Sequence, residues 1–111
     1  MKTKKERSKK SEIELAESLE GRRQPASGAL PVASLKGDVR SRFWLIDDKI
    51  TSLKSFSIGV KTWRKIRKQA WQNHRRPAIS VNFADEVRLF VIDEQAFHEY
   101  NNFLNSQESL P

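Results

Sequence analysis

Apolar positions along the chain switch between two periods, and the switches divide it into elements. Ile13, Leu15, Ala16 and Leu19 recur at helical spacing after Ser11, and Ser11 with Glu14 fits a helix cap and its box partner. The pattern predicts a helix over residues 11–20, stopped by Gly21. Residues 22–37 hold Pro25, Gly28, Pro31 and Gly37 and read as loop or irregular strand. Over 39–50 the spacing fits paired strands or one long strand. Phe43, Leu45, Asp47 and Lys49 share one face there, and Trp44, Ile46 and Asp48 the other. A short strand is expected at 56–58. Val60, Trp63, Ile66 or Arg67, Ala70 and Trp71 form an apolar stripe that makes 60–73 the clearest helix, ended by Pro77. Ile79, Val81 and Phe83 alternate as a strand, and after a short turn at Ala84 and Asp85 residues 87–92 complete a hairpin. Residues 95–104 close the chain as a helix with Phe97, Tyr100 and Leu104 as its buried side. The order α, β, β, β, α, β, β, α describes an α/β fold: a single small domain with a mixed central β-sheet flanked by helices.

Composition narrows the classes of function. With 111 residues there is room for one domain and one core. The absence of cysteine excludes a disulfide framework, a thiolate zinc site and a cysteine nucleophile. His74 and His98 are too far apart in sequence to read as a metal cluster or as part of a Ser-His-Asp triad. Neither a phosphate-loop motif nor a dinucleotide fingerprint is present. No apolar run approaches the roughly 20 residues of a membrane span, and the basic N-terminus lacks the apolar stretch of a secretory signal. The expectation is an intracellular, cytoplasmic protein without a membrane partner.

Charge points to a partner. The net charge is +7, and residues 1–11 carry +5 of it through Lys2, Lys4, Lys5, Arg7, Lys9 and Lys10 against Glu6. Residues 1–10 are expected to be a disordered basic arm, 11–105 the folded domain and 106–111 a disordered tail. A basic arm on a mildly basic body suits a polyanion such as nucleic acid, although a solubilising tail would carry the same charge. Lys61, Arg64, Lys65, Lys68, Arg75 and Arg76 are candidates for phosphate contacts, which position a duplex without reading its sequence. Trp63 and Trp71 fit the apolar stripe and are expected to pack on the sheet; the other use of such rings is stacking on bases. Ser27 and Gly28 form either a simple turn or a loop able to approach a phosphate through backbone N–H groups.

One constellation carries candidate chemistry. Asp38 sits where a turn enters a strand, and Asp47-Asp48-Lys49 begins nine residues later. In a hairpin or a bent strand, Asp38 and Asp47 converge at one end of the sheet. Two carboxylates with carbonyls and waters suit Mg²⁺. Lys49 points from the same face as Asp47 and can stabilise charge building on a phosphate. A surface ion pair would use the same residue types.

The segments that carry these residues resemble a known family. They are Arg22-Arg23-Gln24-Pro25-Ala26-Ser27-Gly28-Ala29, Lys36-Gly37-Asp38-Val39 and Phe43-Trp44-Leu45-Ile46-Asp47-Asp48-Lys49-Ile50-Thr51. Lys54-Ser55-Phe56-Ser57-Ile58, Trp63, Lys65-Ile66, Gln69-Ala70 and Arg76-Pro77-Ala78-Ile79-Ser80-Val81-Asn82-Phe83 continue the series. In this order they resemble the phage-encoded, Holliday junction resolvase-like branch of the PD-(D/E)XK nucleases, over roughly residues 11–93. The resemblance implies a restriction-endonuclease-like αβββαβ core and Mg²⁺-dependent hydrolysis of phosphodiesters in branched DNA, with Mn²⁺ able to substitute, by a homodimer. It implies that Asp38 and Asp47 are metal ligands, that the Asp48 carbonyl completes the shell and that Lys49 is the catalytic lysine. The family's first-helix glutamate matches Glu12 best, with Glu14 and Glu17 as competitors. Arg23, Ser27, Lys36 and Lys54 join the helix cations as expected DNA-binding residues, and Gln69 falls at a polar family position. This chain has Asp47 where many relatives have glutamate, so its carboxylate reaches less far. A DNA-binding module that has lost catalysis would carry the same segments; an RNA-binding or protein-interaction domain is the third reading.

Overall fold

The period-two stretch folds as the first of its two alternatives, a pair of strands. β1 (Asp38–Arg40) and β2 (Trp44–Thr51) run antiparallel, with Asp38 opposite Asp47, Val39 opposite Ile46 and Arg40 opposite Leu45. Ser41 closes the turn: its N–H donates to the Trp44 carbonyl at 2.9 Å and its Oγ accepts from the Trp44 N–H at 3.0 Å. The structure is a computed structural model that describes residues 4–20, 38–84 and 86–108. β3 (Arg76–Phe83) lies parallel to β2, and β4 (Val87–Val91) runs antiparallel to β3. The mixed four-stranded sheet has the order β1-β2-β3-β4. Ala84, at φ 49°, turns the β3–β4 hairpin, where the Glu86 N–H donates to the Phe83 carbonyl at 2.8 Å.

Alternation along β2 feeds two cores. Ile46 packs with Val39, Ala78 and with Leu15 and Ala16 of α1 (Lys4–Glu20) on one face. Leu45 packs with Ile79, Val81 and with Ile66 and Ala70 of α2 (Val60–Gln72) on the other. β3 is covered on both sides, which explains its buried run from Pro77 to Asn82. With α3 (Glu94–Glu108), the domain is a small α/β unit of three helices and a mixed sheet. Among the described residues, no helix is long and apolar enough to cross a membrane.

Several expectations need correction. Residues 4–10, expected in a disordered arm, are helical, because α1 begins at Lys4. They are good helix formers propagating from a helix already anchored by Leu15. Ser11 is therefore not a cap; it is a buried residue inside the helix. Residues 56–58 form no strand; they are part of the irregular segment between β2 and α2. Trp63 packs against the α2-side core as expected, but Trp71 is 64% exposed with the Arg67 guanidinium 5.1 Å from its ring centre. Ile66 and Ala70 define the contact line, and Trp71 stands one residue further round the helix. α3 reaches Glu108, so residues 106–108 of the expected disordered tail are helical. Its expected buried side is bare: Phe97, Tyr100 and Leu104 are exposed, and only Ala96 of this helix is buried.

Candidate active site

The register places Asp38 directly across from Asp47 at the open end of the β1–β2 pair. Directly opposed residues share a face, and their Cβ atoms lie about 4.5–5.5 Å apart. Two residues along, Lys49 shares that face, and its Nζ is 3.2 Å from Asp47 Oδ2. Asp38 is 9% exposed, so it meets solvent only at its edge. The expected convergence of Asp38, Asp47 and Lys49 is therefore present in the backbone register itself.

α1 brings a further carboxylate. Glu12 is buried, whereas its competitors Glu14 and Glu17 are exposed. Burial pushes the Glu12 pKa above its ordinary value, and the carboxylates of Asp48, Asp38 and Asp47 push it further; Lys9 opposes them. Glu12 thus senses the charge of the aspartates. Among the described residues, no group of three or more His, Asp or Glu side chains is gathered in a ready-made metal shell. The donor chemistry still fits Mg²⁺, which commonly binds through one or two carboxylates and keeps waters or substrate phosphates as its remaining ligands. Asp38 and Asp47 are such a pair.

The cost of this crowding is measurable. A raised folded-state pKa means that folding disfavours charged Glu12. The penalty is absent below the unfolded value of 4.5 and grows as pH rises through the higher folded value. Glu12→Gln is expected to raise the melting temperature near neutral pH, because it removes both the desolvation of the charge and its repulsion by the aspartates. The difference between variant and wild type should vanish below about pH 4, where both side chains are neutral. Thermal melts followed by circular dichroism at both pH values check this.

Beside the carboxylate pair lies a cationic surface. Asp47 and Lys49 line one open cavity with Lys61, Thr62, Arg64, Lys65 and Lys68 of α2. α2 carries Lys61, Arg64, Lys65, Arg67 and Lys68 and no acidic residue. Such a helix repels itself, and Lys61 sits unfavourably at the positive end of its dipole; a bound polyanion relieves both. Arg75 and Arg76 stand apart from this cavity. The Arg75 guanidinium donates to the Ser41 carbonyl at 2.8 Å and the Asn73 carbonyl at 3.2 Å, and Arg76 pairs with Glu99. Lys54 is exposed in the segment after β2 and does not line the cavity. The Gln69 carbonyl accepts from Asn73 Nδ2 at 2.7 Å, so its backbone helps to end α2. Arg23, Ser27, Gly28 and Lys36 lie outside the described residues.

Asp48 belongs to a different environment from its neighbours. Its side chain points to the α1 face and is 1% exposed. Oδ2 accepts from Ser11 Oγ and Oδ1 from Ser80 Oγ, each at 2.7 Å. Arg88 donates through Nη2 to Ser11 Oγ at 2.7 Å and to the Ser11 carbonyl at 2.9 Å. Arg88 Nε stands 3.8 Å from Asp48 Oδ1, close enough for charge attraction but without a hydrogen bond. Asn82 Nδ2 donates to Ser11 Oγ at 3.1 Å. The Asp48 carboxylate is thus engaged in a buried network that ties α1 and β4 to β2. The sequence offered one signal for it: Ser80 and Asn82 are polar positions inside an apolar strand, which alternation alone reads as a solvent face. Comparison of the chain with known protein families, curated proteins and solved structures found no match.

Proposed function

We propose that this protein is a metal-dependent DNA endonuclease of the PD-(D/E)XK kind, acting on branched DNA. The observation that carries the reading is the shared face of Asp38, Asp47 and Lys49, opening onto the cationic surface of α2. The order α1-β1-β2-α2-β3 supports it too, since it follows the αβββαβ core with one strand fewer among the described residues.

Asp38 and Asp47 would hold Mg²⁺, or Mn²⁺ in its place, with Glu12, whose charge is coupled to both, as the third candidate ligand. Bound there, the ion supplies charge neutralisation at the scissile phosphate and an acidified water as nucleophile. The Lys49 ammonium is held beside Asp47 and offsets negative charge developing on the phosphoryl oxygens. Lys61, Arg64, Lys65 and Lys68 bind flanking phosphates and set the position of the backbone. A four-way junction presents paired scissile strands, which suits two copies of the chain related by a two-fold axis.

The test is cleavage of labelled four-way junction, linear duplex and single-stranded DNA in Mg²⁺ or in EDTA. Nicking near the branch is expected in Mg²⁺ alone, and none with Asp38→Ala. Cutting of all three substrates alike would remove the junction preference. Tight binding without cutting in either Mg²⁺ or Mn²⁺ would favour the second reading, a DNA-binding module without catalysis. The absence of a preassembled three-ligand group among the described residues is the observation on that side.

A further inference from the structure

Helix α3 leaves the domain after its first turn. The Asp93 carboxylate caps it by accepting from the Ala96 N–H at 2.9 Å, Ala96 is buried, and Glu99 pairs with Arg76. Along the rest of its apolar side Phe97, Tyr100, Phe103 and Leu104 are 56%, 59%, 56% and 43% exposed. Tyr100 and Phe103 follow Ala96 by four and seven residues, so they continue the face on which Ala96 is buried. Among the described residues α3 makes no extended contact with any other helix or strand. An isolated helix of fifteen residues is marginal in water, so this one needs a surface against its apolar side.

Charge and area select the occupant. α3 carries Glu94, Glu99 and Glu108 without lysine or arginine, on a chain of net charge +7. A nucleic acid is repelled by it. Residues 100–107 are uncharged, so a second α3 can lie across them without opposing like charges. The apolar surface continues to Phe43 and Trp71, 61% and 64% exposed, through a groove that they share with Gln95 and Ala96. Six large side chains at about half exposure offer roughly 700 Å², close to the ~800 Å² per partner of a standard interface.

We infer that α3 is the interface of a homodimer, in which two copies pair antiparallel about a two-fold axis near Tyr100. In that register Phe97 meets the partner's Phe103, Ala96 meets the partner's Leu104, and Glu94 faces the partner's Ser106. An interface of this kind is isologous, as a closed dimer requires. It stands on the apolar face alone and holds whether or not the protein cuts DNA.

Sedimentation velocity over a concentration series tests it. The wild type is expected to be a dimer at tens of micromolar, the working range of such interfaces. Tyr100→Asp with Phe103→Asp should weaken association by roughly 100-fold or more. Both residues are exposed, so far-UV circular dichroism of the variant monomer should show the fold intact. The chain has no cysteine, so Tyr100→Cys reports the axis directly: oxidation should give a covalent dimer, while Glu17→Cys on α1 should not. A monomeric wild type, a dimer that survives the double substitution, or equal cross-linking at both cysteines would overturn the inference. A dimer that cuts nothing retains the interface and removes the nuclease; a monomer that cuts does the reverse.

Discussion

Asp48→Ala is expected to bring the domain close to unfolding. The carboxylate is 1% exposed and accepts from Ser11 and Ser80 at 2.7 Å each, with Arg88 beside it. Its removal strands the Arg88 guanidinium, 18% exposed, without a countercharge, and leaves two hydroxyls short of an acceptor. Breaking a buried ion pair from one side costs about 3–5 kcal/mol. Small domains have stabilities near the low end of roughly 5–15 kcal/mol, so most of the margin goes. Asp48→Asn keeps an acceptor and should lose less. Pairing Asp48→Ala with Arg88→Met should restore much of the loss, because it removes the stranded charge. Urea titrations of the single and double variants measure this coupling directly. An Asp48→Ala variant within about 1 kcal/mol of wild type would mean that the network contributes little to holding α1 and β4 on the sheet.

Asp48 also marks where the sequence stops being legible. Alternation along β2 placed Asp47 and Lys49 on one face and Asp48 on the other, and the structure keeps that division. Alternation cannot say which distant residues meet Asp48, and its partners Ser80 and Arg88 arrive from other strands. Ser11 escapes for the same reason: a serine three residues before a glutamate satisfies the local rule for a cap, while its actual partners lie on β2, β3 and β4. α2 and β3 were legible because apolar positions buried between a helix and the sheet, Ile66 and Ala70 against Ile79 and Val81, repeat with the period of the element that carries them. The Asp38–Asp47 pairing was legible because a short turn between two strands leaves few registers. The stripe on α3 reads as a buried side, and in the structure Phe97, Tyr100 and Leu104 are exposed. An amphipathic pattern records that burial is needed, and says nothing of whether the covering surface belongs to the same chain.

Lys49→Met is expected to reduce cleavage by about 10²–10³-fold while junction binding stays within a few-fold of wild type. Methionine nearly matches the length of the lysine stem and removes only the ammonium, so the packing along β2 is preserved. Lys49 stands 3.2 Å from Asp47, and in the proposed reaction its charge would lie where negative charge develops on the phosphate. Its loss also removes a cation that competes with Mg²⁺ for Asp47, so the Mg²⁺ concentration for half-maximal rate should fall or stay level. Asp47→Asn acts in the opposite sense. It weakens the carboxylate pair itself, so the half-maximal Mg²⁺ concentration should rise, and excess metal should recover part of the rate. Single-turnover rates against Mg²⁺ for the two variants separate these roles. If excess Mg²⁺ restored Lys49→Met to wild-type rates, the ammonium would be acting through the metal rather than on the phosphate. If neither variant differed from wild type, the shared face of Asp38, Asp47 and Lys49 would not be the site of chemistry.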